Sequence, residues 1–326
     1  MLADIKWGMI GAGDVTEVKS GPAFKKVEHS DLVAVMRRNE AKVKDYAARH
    51  GIARWYTDAK SLLADNEIDA VYIATPPNTH LTYALMALRA GKAVYLEKPM
   101  TLDTSEALQL AQAVKTLDGR LSVAHYRRQQ PYFKKVKSLI AAGAIGTPRL
   151  VSLKLGKRPL SESTLHDPKM QWRLDPEQSG GGLFHDLAPH QIDFIYHLFG
   201  NIAHASGFAL NQSKLSKADD MVSGQVLFEN QVLFNGTWAF NLAEEIDRCE
   251  IFGSEGKLVF SFFDYTPIAL INGEGPQQFA LERLQHVQQP MIEAVVSYFQ
   301  GERDNPCTVE EGVEVMRVMD VFTGTG

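Results

Sequence analysis

Cysteines and long apolar runs are both scarce in this sequence. Its 326 residues include only Cys249 and Cys307, too few for a disulfide framework or a zinc cluster of cysteines. No stretch reaches the roughly 18 consecutive apolar residues that a membrane-spanning helix needs. The opening segment MLADIKWGMIGAG has glycines where a signal peptide would continue its apolar run. We therefore predict a soluble, cytoplasmic protein with reduced thiols and no membrane partner.

The sequence also lacks a large excess of charge of one sign. The chain has 34 Lys and Arg against 39 Asp and Glu, which gives a formal net charge of −5. Proteins that bind nucleic acids usually carry a basic face, and disordered tails carry blocks of like charge, so we predict neither. Hydrophobic residues make up 45% of the chain, which is enough to bury a large core. The length suits two domains.

The first third of the chain alternates apolar runs with helical patterns. This alternation predicts a doubly wound parallel sheet of the Rossmann type, and we assign it to residues 1–123 as a dinucleotide-binding domain. The predicted strands are residues 5–10, 31–36, 69–75, 93–97 and 120–125, and the predicted helices are 40–51, 80–92 and 104–119.

The pattern changes after residue 123. Strand-like runs joined by short turns follow, and the runs FENQVLF and FGSEGKLVF predict hairpins. We therefore predict an α+β domain with a mostly antiparallel sheet over residues 124–326, for substrate binding and oligomerisation. The predicted strands are residues 203–210, 222–228, 231–240, 248–252, 257–262 and 266–271, and the predicted helices are 131–142, 188–199, 287–300 and 309–321.

A glycine-rich turn follows the first predicted strand. Gly11 permits a tight turn, and Gly13 lets the backbone approach a pyrophosphate at a helix N-terminus. Dinucleotide binding is therefore predicted for the segment Gly11, Ala12, Gly13, Asp14 and Val15. Thr16 stands where the G-x-G-x-x-G pattern has its third glycine, and this weakens the match. A simple turn is the alternative.

Two arginines end the second predicted strand. An NAD enzyme usually has Asp or Glu at this position to bind the ribose 2′-hydroxyl, whereas this chain has Arg37 and Arg38. Guanidinium groups pair with a 2′-phosphate, which an acidic residue would repel. We therefore predict NADP as the preferred cofactor and NAD as a possible one. The alternative is that both arginines are ordinary surface charges.

The segment ATPPNTH follows another predicted strand. Ligands of open α/β sheets bind beyond the carboxyl ends of the strands. We therefore interpret Thr75, Pro76, Asn78 and His80 as a wall beside the cofactor. Capping of the next helix by Asn78 or Thr79 is the alternative for this segment.

Glu97, Lys98 and Pro99 come at the end of the fifth predicted strand. Pro99 stiffens the backbone, and a cis peptide bond is one way in which it does so. A lysine held at this edge of the sheet is able to donate a hydrogen bond to a substrate oxygen. Glu97 and Lys98 also join the predicted cofactor contacts. The alternative is a surface lysine at a strand end.

A second polar cluster lies in SGGGLFHDLAPHQIDF. Asp186 and His190 are four residues apart, so they share one face of a helix, and histidine suits general acid–base chemistry. Asp193 follows one turn later. The alternative is that Asp186 caps the helix and His190 is a core histidine. A metal site that includes His185 is disfavoured, because the histidine spacing is five and H-E-x-x-H is absent.

Together these residues resemble the Gfo/Idh/MocA oxidoreductase family over nearly the whole chain. The segments AAGAIGTPRLV and EIFGSEGKLVF extend the resemblance into the second domain. The motifs that carry it are Gly11-Ala12-Gly13, Thr75-Pro76-Pro77-Asn78-Thr79-His80, Glu97-Lys98-Pro99, Trp172-Arg173, Gly180-Gly181-Gly182, and Asp186 with His190.

The resemblance implies an NAD(P)-dependent dehydrogenase or reductase that acts on a sugar, cyclitol or polyol. It implies Lys98, Asp186 and His190 as catalytic residues, with Lys98 steadying the reacting oxygen and His190 moving the proton. It also implies a homodimer or homotetramer formed through the second-domain sheet. The residues that the resemblance implies for substrate binding are Tyr126, Arg127, Trp172, Arg173, Asp186 and His190. A non-catalytic NADP-binding regulator and a metal-dependent hydrolase are the alternatives.

Overall fold

A computed structural model of the chain describes residues 4–324, except for the side chains of Asp14 and Val15, two of the predicted cofactor contacts, which lie outside the described part. The described chain divides into two compact units. The first contains the residues up to Gln130 together with Leu284–Glu314, and the second contains Pro131–Arg283 and the described residues from Val315 onward. The assignment of residues 1–123 to cofactor binding and of residues 124–326 to substrate binding and oligomerisation stays a prediction. No helix within residues 4–324 has both the length and the apolar character needed to cross a membrane.

The first unit is built on a six-stranded parallel sheet. The strand order is β3-β2-β1-β4-β5-β6, and every neighbouring pair is parallel. The order reverses between β1 and β4, so the loops after these strands diverge and leave a crevice at their carboxyl ends. This sheet confirms the predicted doubly wound fold. Its strands are β1 (Ile5–Ile10), β2 (Ser30–Met36), β3 (Arg54–Tyr56), β4 (Ala70–Ile73), β5 (Ala93–Leu96) and β6 (Leu121–Val123).

Side-chain caps fix the ends of several helices in this unit. Asn39 and Asp103 accept hydrogen bonds from backbone N–H groups in the first turns of α3 and α6, which satisfies donors that have no partner inside the helix. Gly51, at φ 60°, ends α3. The helices are α1 (Asp14–Val18), α2 (Gly21–Phe24), α3 (Glu40–His50), α4 (Ala59–Leu63), α5 (His80–Arg89) and α6 (Thr104–Thr116).

The helix after the glycine loop is interrupted, and the chain restarts as α2 with Pro22 in its first turn. The Tyr46 hydroxyl donates to the carbonyl oxygen of Thr16 at 2.9 Å. A Cβ at Gly21 would lie 2.2 Å from the same oxygen, so only glycine fits at this position. The interruption is therefore part of the packing of α1 against α3.

The second unit is built on an eight-stranded sheet in the order β14-β13-β12-β11-β7-β10-β9-β8. Among the described strands of this sheet, β7 and β10 pair in parallel, and the other neighbouring pairs are antiparallel. Both predicted hairpins are present as the antiparallel pairs β9–β10 and β11–β12. The strands are β7 (Pro148–Gly156), β8 (Ile202–Leu210), β9 (Met221–Phe228), β10 (Leu233–Ala239), β11 (Ile246–Gly253), β12 (Gly256–Phe260), β13 (Ile268–Asn272) and β14 (Gly275–Phe279).

Helix α11 packs on the inner face of this sheet. Trp238 donates its indole N–H to Gln191 at 2.6 Å, and Phe194 packs edge-on against Phe260. On the outer face Phe208 remains 79% exposed. The helices of this unit before β8 are α7 (Pro131–Ala141), α8 (Glu162–Leu165), α9 (Pro168–Leu174), α10 (Pro176–Ser179) and α11 (Gly182–Phe199).

The predicted start of α11 near residue 188 is wrong. The helix begins at Gly182 and has Pro189 inside it. Proline lacks an N–H and is usually found in the first helical turn, so a proline in the helix interior makes the true start hard to predict from the sequence. Asp186 therefore lies within the helix and does not cap it.

Two helices close the described chain, α12 (Gln289–Phe299) and α13 (Val309–Thr323). Phe299 packs against Trp7 in the core of the first unit, with ring centroids 5.7 Å apart. Phe322, near the end of α13, packs against Trp238 in the core of the second unit. The closing segment thus contributes to the cores of both units.

Candidate active site

The loop after β1 has the shape of a dinucleotide-binding turn. Gly11 has φ +100°, and a Cβ there would lie 2.8 Å from the backbone of Ala74. Glycine is therefore required where the loop passes the end of β4. At Gly13 an added Cβ would meet nothing closer than the Gly11 carbonyl oxygen at 3.8 Å. This open space fits the close approach of a pyrophosphate to the backbone.

Thr16 replaces the third glycine of the motif and is completely buried. Its hydroxyl donates to the carbonyl oxygen of Gly13 at 2.7 Å and accepts from the Gly13 N–H at 3.0 Å. Thr16 therefore stabilises the backbone of the glycine loop through two hydrogen bonds, and the turn is ordered although the third glycine of the motif is absent.

An ion-pair clamp holds α1 against α3. Arg49 donates two hydrogen bonds of 2.8 Å to the carboxylate of Glu17, and His50 lies 2.9 Å from the same group. The hydrogen bonds from Arg49 and His50 lower the pKa of Glu17 to about 2 although partial burial opposes the shift. Glu17 is therefore ionised at neutral pH and fixes the helix that follows the glycine loop.

The two arginines after β2 differ in their surroundings. Arg37 donates from Nη1 to the carbonyl oxygen of Ala12 at 3.0 Å, whereas Arg38 is exposed. Among the side chains that the structure describes, which do not include that of Asp14, no acid forms an ion pair with either guanidinium. Positive charge that no described acid balances therefore lies beside the glycine loop.

The segment after β4 is tied together by its own side chains. Thr79 occupies the helix N-cap, but its hydroxyl donates back toward Thr75 and Pro76, and Asn78 is exposed. Neither side chain caps α5. Thr75, Pro76 and Asn78 follow β4 at the edge of the sheet where the glycine loop also lies, and their cofactor contacts stay predictions.

His80 is completely buried between two backbone carbonyl groups. Its Nε2 lies 2.8 Å from the oxygen of Thr75, and its Nδ1 lies 2.9 Å from the oxygen of Pro99. Burial lowers the pKa of His80, although both carbonyl groups favour the protonated ring. The imidazole thus joins the segments that follow β4 and β5. Its predicted contact with the cofactor stays a prediction.

Lys98 follows β5 and is half-buried. The Lys98–Pro99 peptide bond is cis, in agreement with one of the sequence interpretations. The backbone N–H of Lys98 donates to Glu97 Oε2 at 3.1 Å, and the Glu97 side chain is itself buried. The lysine therefore extends from a backbone that a buried carboxylate holds in place.

The turn after β6 lies in the core of the first unit. Tyr126 and Arg127 are 8% and 5% exposed, so both predicted substrate contacts are largely buried. Burial lowers the pKa of His125 well below its ordinary value, and the charges of Arg128 and Lys98 add to the effect. His125 is therefore neutral near pH 7 and lies close enough to Lys98 to sense its charge.

In the second unit the structure brings together Trp172, Arg173 and Asp186, three of the predicted substrate contacts. Arg173 Nε lies 3.4 Å from a carboxylate oxygen of Asp186, and its guanidinium stacks 4.3 Å from the ring centre of Trp172. His190 lies one turn beyond Asp186 on α11 and is 4% exposed. Helix α11 thus presents a carboxylate and an imidazole, and α9 supplies the guanidinium that pairs with the carboxylate.

The glycines at the start of α11 have a packing role that the sequence did not reveal. A Cβ at Gly181 would lie 2.1 Å from the His185 ring, and one at Gly182 would lie 2.4 Å from the Ala218 side chain. Burial lowers the pKa of His185 to about 4, so its ring is neutral near pH 7. Among the side chains that the structure describes, no three His, Cys, Asp or Glu residues form a group that could hold a metal ion.

Phe263 is a neighbour of His190 that sequence reasoning missed. The two ring centres are 6.1 Å apart and nearly perpendicular, and Phe263 is half-buried. Asp247 fixes this loop, because its carboxylate accepts hydrogen bonds from the backbone N–H groups of Phe262, Phe263 and Asp264. The aromatic run SFFDY was the available signal, but the long-range partner Asp247 was not readable from it.

Family models match both halves of the chain. Residues 5–125 match a model described as an oxidoreductase family with an NAD-binding Rossmann fold, and residues 133–259 match the GFO/IDH/MocA C-terminal domain. Oxidoreductase P35 of Formosa agariphila is 48% identical over 325 residues, which cover 100% of both chains. The chain belongs to the Gfo/Idh/MocA oxidoreductase family. The resemblance and fold class predicted from the sequence are thereby confirmed.

Two more distant matches extend over most of the chain. Myo-inositol 2-dehydrogenase of Thermotoga maritima is 26% identical over 289 residues, covering 85% of this chain and 82% of the relative. The structure of a levoglucosan dehydrogenase in complex with NADH and levoglucosan superposes with a TM-score of 0.86 at 21% identity, covering 99% of this chain and 97% of that one. The Gfo/Idh/MocA chain described here thus has the family's NAD-binding Rossmann fold.

Proposed function

We propose that this chain transfers a hydride between NADP and the CH–OH or C=O group of a sugar, cyclitol or related polyol. The observation that carries the proposal is the position of Lys98. Lys98 comes after Glu97, just beyond the end of β5 at the carboxyl edge of the parallel sheet, where the Gly11–Gly13 loop also follows β1. Ligands of doubly wound sheets bind at this edge.

Three side chains handle the reacting oxygen and its proton in this proposal. Lys98 donates a hydrogen bond to the oxygen, and His190 accepts the hydroxyl proton in oxidation or returns it in reduction. Asp186 orients the substrate hydroxyl, and its ion pair with Arg173 holds the carboxylate in place. A bound nicotinamide supplies the hydride chemistry, and the protein supplies position and proton transfer.

The preference for NADP rests on the charge beside the glycine loop. Arg37 is held against Ala12, and Arg38 is exposed with no described acidic partner. A 2′-phosphate is the anion that NADP brings to this end of β2. NAD remains the second cofactor of the proposal.

The substrate class follows from what the names of two relatives share. One is named for myo-inositol and the other for levoglucosan, both small polyhydroxy compounds. Trp172 and Arg173, beside Asp186, supply stacking and hydrogen-bonding groups of the kind that such compounds use. Tyr126 and Arg127 belong to the proposal as further contacts.

The proposal includes a homodimer or homotetramer that forms through the outer face of the eight-stranded sheet. Phe208, Leu210 and Ile271 expose 79%, 52% and 40% of their surfaces on this sheet. A cytoplasmic location is also proposed, since Cys249 and Cys307 are free. Light scattering of the parental chain and of Phe208→Glu tests the assembly, and a monomeric parental chain would contradict it.

A spectrophotometric screen tests the activity. Sugars, cyclitols and dihydrodiols are assayed with NADP and NAD in parallel, and the best substrate is repeated with Lys98→Ala and His190→Ala. We expect both variants to bind the cofactor but to lose at least about 100-fold in kcat. Turnover at the parental rate in either variant removes that residue from the mechanism. Tight cofactor binding without turnover of any compound would indicate a regulator.

A further inference from the structure

Gln288 is a buried amide in the segment that precedes α12. It is 1% exposed, and its side chain lies in the core of the first unit. Its Oε1 accepts a hydrogen bond from the Tyr95 hydroxyl at 3.0 Å, and its Nε2 donates to Glu97 Oε1. A side-chain amide both donates and accepts, so these two partners fix its orientation.

The two oxygens of the Glu97 carboxylate have different partners. Oε1 accepts from the Gln288 amide and from the Tyr72 hydroxyl, whereas Oε2 accepts from the backbone N–H of Lys98. A carboxylate buried to this degree is stable only when donors satisfy it. Any change at Oε1 therefore alters the group that holds the backbone of Lys98.

We infer that Gln288 is a positioning residue that acts on Lys98 through Glu97. This inference rests on the proposed function, because it has catalytic meaning only if Lys98 contacts the reacting oxygen. Gln288 lies 191 residues from Glu97 in the sequence, beyond the part of the chain that the family models match.

The same segment also holds the helix that follows the glycine loop. His286 lies with Nδ1 2.7 Å from the carbonyl oxygen of Val18, at the end of α1, and with Nε2 2.7 Å from the Lys26 ammonium. An ammonium only donates, so Nε2 accepts and Nδ1 carries the proton. The Gln288 N–H donates to the carbonyl of Lys19. The segment from His286 to Gln288 thus contacts both the end of α1 and Glu97, the residue that holds the backbone of Lys98.

Among the described residues, the titratable groups shown beside Glu97 are Tyr72, Tyr95 and His80, together with Lys98 itself. Burial raises the pKa values of Tyr72 and Tyr95 well above their ordinary value, and burial lowers the pKa of His80. Near pH 7 these three groups therefore carry no charge. A second carboxylate placed opposite Glu97 would have to share one proton with it, as in carboxylate pairs elsewhere.

Gln288→Glu is therefore the sharpest variant, because it keeps the shape of the side chain and replaces the donor by a second carboxyl group. We expect the two carboxyl groups of the variant to share one proton at about pH 6, which would preserve the contact. As the pH rises toward about 9 the proton is lost and the pair repels. Gln285→Glu is the matched control, since it adds the same charge to an exposed position of the same segment.

The readout is the backbone amide resonance of Lys98 in protein labelled with 15N-lysine, assigned by comparison with Lys98→Arg. We expect this resonance to titrate between about pH 6 and pH 9 in Gln288→Glu and to stay fixed in Gln285→Glu and in the parental chain. Over the same range kcat of Gln288→Glu should fall about 10- to 100-fold relative to the parental chain, with KM nearly unchanged.

The outcomes separate this inference from the proposed function. A Lys98 resonance that does not titrate in Gln288→Glu overturns the inference, as does a variant that fails to fold at about pH 6. A titrating resonance with parental kcat, together with an inactive Lys98→Ala, overturns the inference and leaves the proposed function intact. A fully active Lys98→Ala overturns both. The inference is supported if kcat recovers at low pH in Gln288→Glu and not in Gln285→Glu.

Discussion

Arg37 donates a hydrogen bond to the carbonyl oxygen of Ala12, which joins the end of β2 to the glycine loop. Its neighbour Arg38 has no such contact and is exposed. The two adjacent guanidinium groups therefore have separable roles. Arg37 shapes the loop that either dinucleotide would use, whereas Arg38 contributes charge that only a 2′-phosphate would need.

This difference gives the first prediction. Arg38→Ala should weaken NADP binding about 10-fold or more and leave NAD binding unchanged, because one charge-assisted hydrogen bond is lost. Arg37→Ala should weaken both cofactors. Dissociation constants from fluorescence titration measure the effect, and Arg89→Ala, an exposed arginine on α5, serves as the control. Equal losses for NAD and NADP in Arg38→Ala would refute the assignment.

A pair of glycine substitutions separates folding from cofactor binding. Gly11→Ala should lower Tm and abolish cofactor binding, because the new Cβ would lie 2.8 Å from the Ala74 backbone at φ +100°. Gly13→Ala should keep nearly the parental Tm, since its Cβ has open space, yet weaken cofactor binding about 10-fold or more. Differential scanning calorimetry and titration measure both quantities. Unchanged affinity of Gly13→Ala for the cofactor would show that the pyrophosphate does not bind at this loop.

The clamp on α1 predicts a pH-dependent stability. The folded-state pKa of Glu17 is about 2 against an ordinary 4.5, chiefly because Arg49 donates to it. The depressed pKa means that its stabilisation is complete above about pH 4.5 and is lost as the pH falls toward about 2. Glu17→Gln should therefore cost about 1 kcal/mol near pH 7, after allowance for solvent screening, and less near pH 3.

Urea unfolding at the two pH values measures the free-energy difference between Glu17→Gln and the parental chain. Glu282→Gln, an exposed carboxylate, is the control and should change stability little at either pH. A cost for Glu17→Gln that is the same near pH 3 as near pH 7 would show that the ion pair is not its source.

Phe263 is expected to shape substrate choice. It lies beside His190 on a loop that Asp247 fixes, so Phe263→Ala should raise KM about 10-fold for the best substrate while kcat changes less. The measurement is steady-state kinetics on the compounds found in the screen. Phe279→Ala, on the edge strand β14, is the matched control. An unchanged KM in Phe263→Ala would place the substrate elsewhere.

Local sequence signals predicted most of the first unit. The bounds of β1 were predicted as Ile5–Ile10 and are confirmed, since a short apolar run that ends in glycines has few other interpretations. The strand β3 was missed because Arg54–Tyr56 is three residues long and has no apolar alternation. Short elements depend on their neighbours in the sheet, and the sequence does not show those neighbours.

The candidate site was predictable only where a motif carried it. Lys98 and His190 stand in recognisable patterns, whereas Gln288 and Asp247 act through partners far along the chain. The true start of α11 could not be predicted, because Pro189 lies inside the helix. The packing role of Gly181 could not be predicted either, because it depends on the position of the buried His185 ring. The strands and helices can be predicted from neighbouring residues in the sequence, whereas the residues that hold a site in place come from distant parts of the chain.

The first unit is assembled from two stretches of chain, and this limits how the protein can be dissected. A fragment that stops at Gln130 would lack Phe299 beside Trp7 and Glu311 beside Arg128, as well as the amide that satisfies Glu97. Its truncated core would expose aromatic surface and invite aggregation. A minimal nucleotide-binding module must therefore graft Leu284–Glu314 back onto the N-terminal stretch, for example through a designed linker or a circular permutation.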